Sequence, residues 1–221
     1  MAGNRFYGIS ANSREGALAS ATANSMIPEI KKLLVDGASL ERLASGTTAL
    51  HEAARLGLAK PAGILIEAAR NLDVLDKDKL TPLMRACTCG KAKGSQIALL
   101  LIDSGADVRY VRKSDEMTAL KNAAKNCSPE VVARLIEAGA PVDGPPGTRQ
   151  TALVLAARAN NVDNLKVLIQ HGADPSQKCK LPWAEGRTAA GIAEMEGRKR
   201  AATYLRSIES EGKSQQKKKK S

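Results

Sequence analysis

Apolar residues recur along this chain in a short helical rhythm that restarts every few dozen residues. Leu50/Ala53/Ala54, Leu83/Ala86/Cys87, Leu120/Ala123/Ala124 and Leu153/Ala156/Ala157 place apolar side chains at i, i+3 and i+4, one face of a 3.6-residue period. The small residues among them let neighbouring helices approach closely. A threonine precedes each set, at Thr48, Thr81, Thr118 and Thr151, where its hydroxyl can accept backbone N–H groups and cap the helix. Pro82 takes the first helical position, where its missing N–H costs nothing. A second helix in each unit carries larger pairs: Leu33/Leu34, Leu65/Ile66, Leu101/Ile102, Leu135/Ile136 and Leu168/Ile169. It closes on a glycine suited to the left-handed C′ conformation. A polar stretch then leads to the next threonine, long enough for a projecting hairpin.

Two markers share one phase. Thr48-Ala49-Leu50-His51, Thr81-Pro82-Leu83-Met84, Thr118-Ala119-Leu120-Lys121, Thr151-Ala152-Leu153-Val154 and a weaker Thr188-Ala189-Ala190-Gly191 follow at intervals of 33, 37, 33 and 37 residues. Asp36-Gly37-Ala38, Ser104-Gly105-Ala106-Asp107, Ala138-Gly139-Ala140 and His171-Gly172-Ala173-Asp174 run beside them. Glycine follows threonine by 21 residues for both Thr118/Gly139 and Thr151/Gly172. Self-similarity at this period marks a repeat array, in which each unit hides its apolar flank against the next.

The segments resemble the ankyrin repeat. Thr48-Ala49-Leu50-His51-Glu52-Ala53-Ala54 and Leu168-Ile169-Gln170-His171-Gly172-Ala173-Asp174 match its signatures best, and the likeness runs from about Gly16 to Ile208. It implies an all-α fold, an ankyrin-repeat α-solenoid of helix–turn–helix units with projecting hairpin loops. Counting back 21 residues from Gly37 puts a degenerate first repeat at Gly16. The expected organisation is an N-terminal extension at 1–12, about six repeats over 13–209 with degenerate caps at both ends, and a disordered Lys-rich tail at 210–221. Glu194 stands where earlier repeats place Ala54, Cys87, Ala124 and Ala157. A carboxylate there predicts an end cap with a polar outer face, so the array reads as complete.

Departures from the pattern carry their own expectations. Thr81 and Gly105 are 24 residues apart instead of 21, which puts three extra residues near Lys91–Ser95. One extra residue lies between Gly105 and Thr118, and four lie around Gln177–Trp183. Such insertions are expected to form loops, often on a binding face. Only His51 keeps the histidine of the motif. Met84, Lys121 and Val154 replace it, and a polar tie between loops that the family usually has should go with it. Ala69 stands where the pattern wants glycine, and a left-handed alanine costs about 1 kcal/mol or more. A helix running on into Arg70 is expected there instead.

Composition removes several function classes. One Phe, three Tyr and one Trp in 221 residues are too few for an aromatic-rich β-sandwich or for stacking platforms that hold single-stranded nucleic acid. Two histidines and four cysteines leave little for a metal cluster or a His-based active site. Cys87, Cys89, Cys127 and Cys179 show neither zinc-type C-x2-C spacing nor the density of a secreted disulfide framework. No metal and no cofactor is expected, and a reducing cytoplasm fits. Gly90-Lys91-Ala92-Lys93-Gly94-Ser95 evokes a phosphate-cradling loop but fails its spacing. The net charge is +11. Five lysines and one glutamate in Ser210–Ser221 account for +4 of it, and the remainder is too dilute to indicate a nucleic-acid surface. No apolar run approaches the roughly 18 residues that span a bilayer, and Met1–Ser10 lacks a signal-peptide core.

What the resemblance implies is a monomeric, non-enzymatic module that binds a folded protein partner of unknown identity through its concave helix and hairpin surface. The positions it points to are Arg55, Leu56, Asp78, Leu80, Asp115, Met117, Lys125, Asn126, Gln150, Arg158, Glu185 and Arg187. Leu56, Leu80 and Met117 are apolar where exposure is expected, which suggests an interface. Trp183, the only tryptophan, lies in the longest hairpin insertion. It either anchors a partner or folds back over the last repeat. An inhibitor or immunity-type protein that blocks a partner enzyme is the alternative. Nucleic-acid association through the tail is a lesser one, and Lys217–Lys220 could direct the chain to the nucleus.

Overall fold

Each threonine caps a helix. In the computed structural model, which describes residues 13–40 and 46–218, the hydroxyls of Thr48, Thr81, Thr118, Thr151 and Thr188 accept the amide three residues on at 3.1–3.4 Å. The helices started by Thr81, Thr118 and Thr151 pair with second helices that stop at the expected glycines, Gly105, Gly139 and Gly172. At Gly139, φ is +98°, and the amide of Ala140 reaches back to the Leu135 carbonyl at 2.9 Å, closing the chain reversal as a Schellman turn.

The chain forms two compact units, which meet in sequence at Asp107/Val108. In the first, α1 (Arg14–Ala23), α3 (Ala49–Leu56) and α5 (Pro82–Ala86) pack side by side in one layer. Their partners α2 (Ile27–Val35), α4 (Ala59–Ala68) and α6 (Lys91–Asp103) form the second layer. The other unit opens with a two-stranded hairpin, β1 (Val111–Arg112) against β2 (Met117–Thr118), with Val111 opposite Thr118. Helices α7 (Ala119–Asn126), α9 (Ala152–Arg158) and α11 (Ala189–Met195) then stack beside α8 (Pro129–Glu137), α10 (Val162–Gln170) and α12 (Lys199–Lys218). Each unit is thus all-α apart from that hairpin and holds three helical pairs, where the spacing alone suggested one array over 13–209. Leu18, Ile30, Leu65, Leu83, Ile97 and Leu101 are fully buried in the first unit. Leu120, Leu135, Leu153, Leu165 and Leu168 fill the second.

Four local expectations change. The first repeat starts at Ser13, whose hydroxyl accepts the Gly16 amide at 3.0 Å, three residues before the counted position. The three extra residues near Lys91–Ser95 are helical and lengthen α6 to 13 residues, while α5 shrinks to five. Glycine makes this possible, because a Cβ on Gly94 would lie 2.3 Å from the Ala86 carbonyl oxygen. Helix α4 does not run into Arg70. It ends at Ala68, and Ala69 turns extended (φ −76°, ψ 134°), which releases the chain without any left-handed residue. Finally, α12 continues to Lys218, across most of the tail expected to be disordered. Arg206 pairs with Glu209 one turn on at 2.8 Å, which favours helix locally, and the Lys and Gln residues beyond favour it too, although Gly212 does not. The extension at 1–12 and Lys219–Lys220 lie outside the described residues.

Candidate protein-interaction surface

The first unit fixes its hairpin around a buried carboxylate. Asp76 has no exposed surface and accepts the amides of Asp78 at 2.9 Å and Leu80 at 3.0 Å, with Arg85 Nε at 2.5 Å. Arg85 also pairs with Asp78. These bonds turn Leu80 inward, leaving it 6% exposed, so it is a core residue and not the exposed contact its position suggested. The carbonyl of Leu80 accepts His51 Nε2 at 3.0 Å, and His51 Nδ1 accepts the Thr48 hydroxyl at 2.8 Å. Burial pushes the imidazole pKa down. Arg55 is exposed and paired with Glu52 at 2.7 Å, while Leu56 is half-buried. Asp78 is exposed beside Arg85.

In the second unit the hairpin tips are tied to one another. The Glu116 carboxylate accepts the Arg149 amide and Arg149 Nε, both at 2.9 Å. The Arg149 carbonyl in turn accepts the Lys180 amide at 2.8 Å. Lys121 supplies the deeper bond. Only 3% exposed, its ammonium donates to the Glu116 carbonyl at 2.7 Å and to the Thr148 hydroxyl at 2.9 Å. The polar tie expected to vanish with the histidine is therefore present here in another chemistry: a long amine spans the same gap. Burial pushes the Lys121 pKa down, against the pull of Glu116 and Asp115.

The remaining predicted positions fall around this frame. Asp115 is exposed and bonds Arg112 at 2.5 Å, which holds its carboxyl below the usual range. Met117 and Asn126 are half-buried, and Lys125 is exposed. Gln150 is half-buried, and its buried Nε2 has no partner among the described residues. Glu185 and Arg187 pair at 2.6 Å. Trp183 sits on a 3-10 turn, Pro182–Ala184, and is 40% exposed. The Arg158 guanidinium lies 4.6 Å from the centre of its ring, within cation–π range. Arg158 Nε donates to Glu196 at 2.6 Å. Trp183 thus neither covers the last repeat completely nor stands free.

Several residues that shape this surface were not singled out from the sequence: Asp76, Arg85, Glu116, Arg149 and Glu196. Asn164 is another. Fully buried on α10, its amide donates to the carbonyls of Ala123, Ala124 and Cys127 at 2.9–3.3 Å, capping the end of α7. An asparagine directly before Leu165, on the apolar face of a second helix, was the available signal. The four cysteines are free thiols. Among the described residues no three His, Cys, Asp or Glu side chains gather as a metal site, and no helix is long and apolar enough to cross a membrane.

Comparison with known proteins agrees with this architecture. The family model described as ankyrin repeats (3 copies) matches residues 17–112 and 92–179. Neurogenic locus notch homolog protein 1 of Homo sapiens is 33% identical over 147 residues, 66% of this chain. Ankyrin repeat and KH domain-containing protein mask-1 of Caenorhabditis elegans is 32% identical over 163 residues, 73% of this chain. The chain spans about 6% of the length of either relative. Among solved structures, a chain of the complex between a predatory endopeptidase from Bdellovibrio bacteriovorus and an immunity protein superposes with a TM-score of 0.74 at 24% identity. That match covers 86% of this chain and 97% of the other.

Proposed function

This chain belongs to the ankyrin-repeat family, and from that premise we propose that it is a non-enzymatic module which binds a folded protein through the helix and hairpin face of its repeats. The observation that carries this reading is the bonded hairpin rim of the second unit, Glu116 to Arg149 to Lys180. It presents neighbouring exposed side chains on a frame already ordered, so little conformational entropy is lost on docking. Lys125, Arg158, Trp183 and the half-buried Met117 and Gln150 are the contacts proposed there. Arg55, Leu56 and Asp78 are those proposed in the first unit. The chain would act as a monomer in the cytoplasm; a nuclear address and a nucleic-acid contact at Lys217–Lys220 are the lesser alternatives.

The experiment is capture with the full chain, identification of the bound protein by mass spectrometry, and titration of that purified protein. Lys125→Glu combined with Gln150→Ala should weaken binding by about tenfold or more with the thermal midpoint unchanged. Undiminished affinity would overturn the assignment of this face. A second reading, an inhibitor or immunity-type protein, is favoured by Trp183, 40% exposed on the turn Pro182–Ala184. The complex with an immunity protein is a likeness of fold, and an analogy only. If the captured protein is an enzyme, assaying it with and without this chain separates a blocker from a passive binder.

A further inference from the structure

The cluster around Arg158 and Trp183 has unfinished bonding. Arg158 spends only Nε, on Glu196, and its two terminal amino groups donate to nothing among the described residues. The Trp183 indole N–H likewise has no partner among them, and the ring is 40% exposed. Both groups are held in place. Glu196 fixes the guanidinium from its inner edge. The tryptophan turn is pinned by buried Ala184, by the Arg187 amide on the Ala184 carbonyl and by the Cys179 amide on the Arg187 carbonyl, each 2.9 Å.

The local charge is a surplus of cations. Glu196 is shared between Arg158 and Arg198, the latter at 3.7 Å. Lys125, at the matching position of the preceding helix α7, is exposed and in no ion pair among the described residues. An end-on guanidinium edge is the geometry that takes a carboxylate through two parallel N–H bonds. The tryptophan beside it offers one more donor and an apolar face.

We propose that Arg158 and Trp183 receive an Asp or Glu side chain of the partner protein, with an apolar neighbour of that residue resting on the Trp183 ring. The inference rests on the protein-binding reading above and adds the chemistry of one contact. The phosphates of a nucleic acid could also pair with a guanidinium, and they are the competing occupant in the test.

Trp183 is the only tryptophan, so tryptophan emission, excited selectively over the three tyrosines, reports on this site alone. The full chain is panned with a display library of random twelve-residue peptides, and enriched peptides are titrated while Trp183 emission is followed. The expected result is enrichment of Asp or Glu next to an apolar residue, with an emission change on binding. Arg158→Lys, which keeps the charge and loses the fork, should weaken binding by about tenfold. Changing the peptide's acid to its amide should do the same. Enriched peptides without a carboxylate, an unchanged emission, or equal affinity for Arg158→Lys overturn the inference, as does failure to enrich any peptide. So does a twelve-nucleotide single-stranded DNA that shifts Trp183 emission at lower concentration than the peptides. Peptides that depend on Lys125 and Gln150 but ignore Arg158 would sink this contact and leave the protein-binding reading standing.

Discussion

Lys121 reaches the hydroxyl of Thr148 at 2.9 Å across 27 residues of sequence, and this buried ammonium ties one hairpin of the second unit to the next. Removing the amine while keeping the bulk, as in Lys121→Met, leaves the Glu116 carbonyl and the Thr148 hydroxyl short of a donor. The expected loss is about 1–3 kcal/mol, read as a lower midpoint in urea unfolding. A midpoint within error of the parent would mean that the tie carries no stability.

Asn164 tests whether one side chain closes the end of a helix it does not belong to. Asn164→Ala should cost about 1–3 kcal/mol, the desolvation of carbonyls left unpaired. Asn164→Asp should be worse than alanine at neutral pH, because a carboxylate would then face three carbonyl oxygens. A loss within error for Asn164→Ala would show that the amide donors are unimportant.

His51 gives the first unit a pH dependence. Burial lowers its folded pKa below the ordinary value near 6.5, so the unfolded chain binds the proton more readily. The stability this neutral imidazole contributes is complete above about pH 6.5 and is lost as pH falls from there toward the folded pKa. Thermal midpoints between pH 8 and pH 5 should therefore fall more steeply for the parent than for His51→Gln. Parallel curves would remove His51 as the cause.

Gly94 lies where no side chain fits. With the new Cβ 2.3 Å from the Ala86 oxygen, Gly94→Ala should destabilise by about 1–3 kcal/mol, the usual cost of overpacking, although alanine is the better helix former. A variant as stable as the parent in a thermal melt would show that α6 can shift away from α5.

The local elements were legible because their causes lie within a few residues. A threonine three residues from the amide it accepts caps a helix wherever that helix goes, and a glycine after the last apolar pair reverses the chain by its own backbone freedom. Miscounts arose where a length change could be absorbed in more than one way. The three extra residues by Lys91–Ser95 lengthened a helix, because Gly94 lets it close onto Ala86, and did not swell a loop. Of the proposed contacts, Lys125 and Arg158 lie on exposed or half-exposed ends of first helices, as position implied. Leu80 did not, since the Asp76 carboxylate that turns it inward acts through a bend that hydrophobic pattern does not record.

Sequence by itself determined the repeat, the helix phase, the caps and the glycine closures, all short-range consequences of propensity and backbone geometry. Tertiary structure alone decided that Lys121 would replace a histidine's tie, that Asn164 would close α7 from 37–41 residues away, and that Arg158 would settle over Trp183. Those pairings depend on where separately formed helices come to rest against one another. Side chains far apart in the chain acquire their partners only when apolar burial has fixed that spacing.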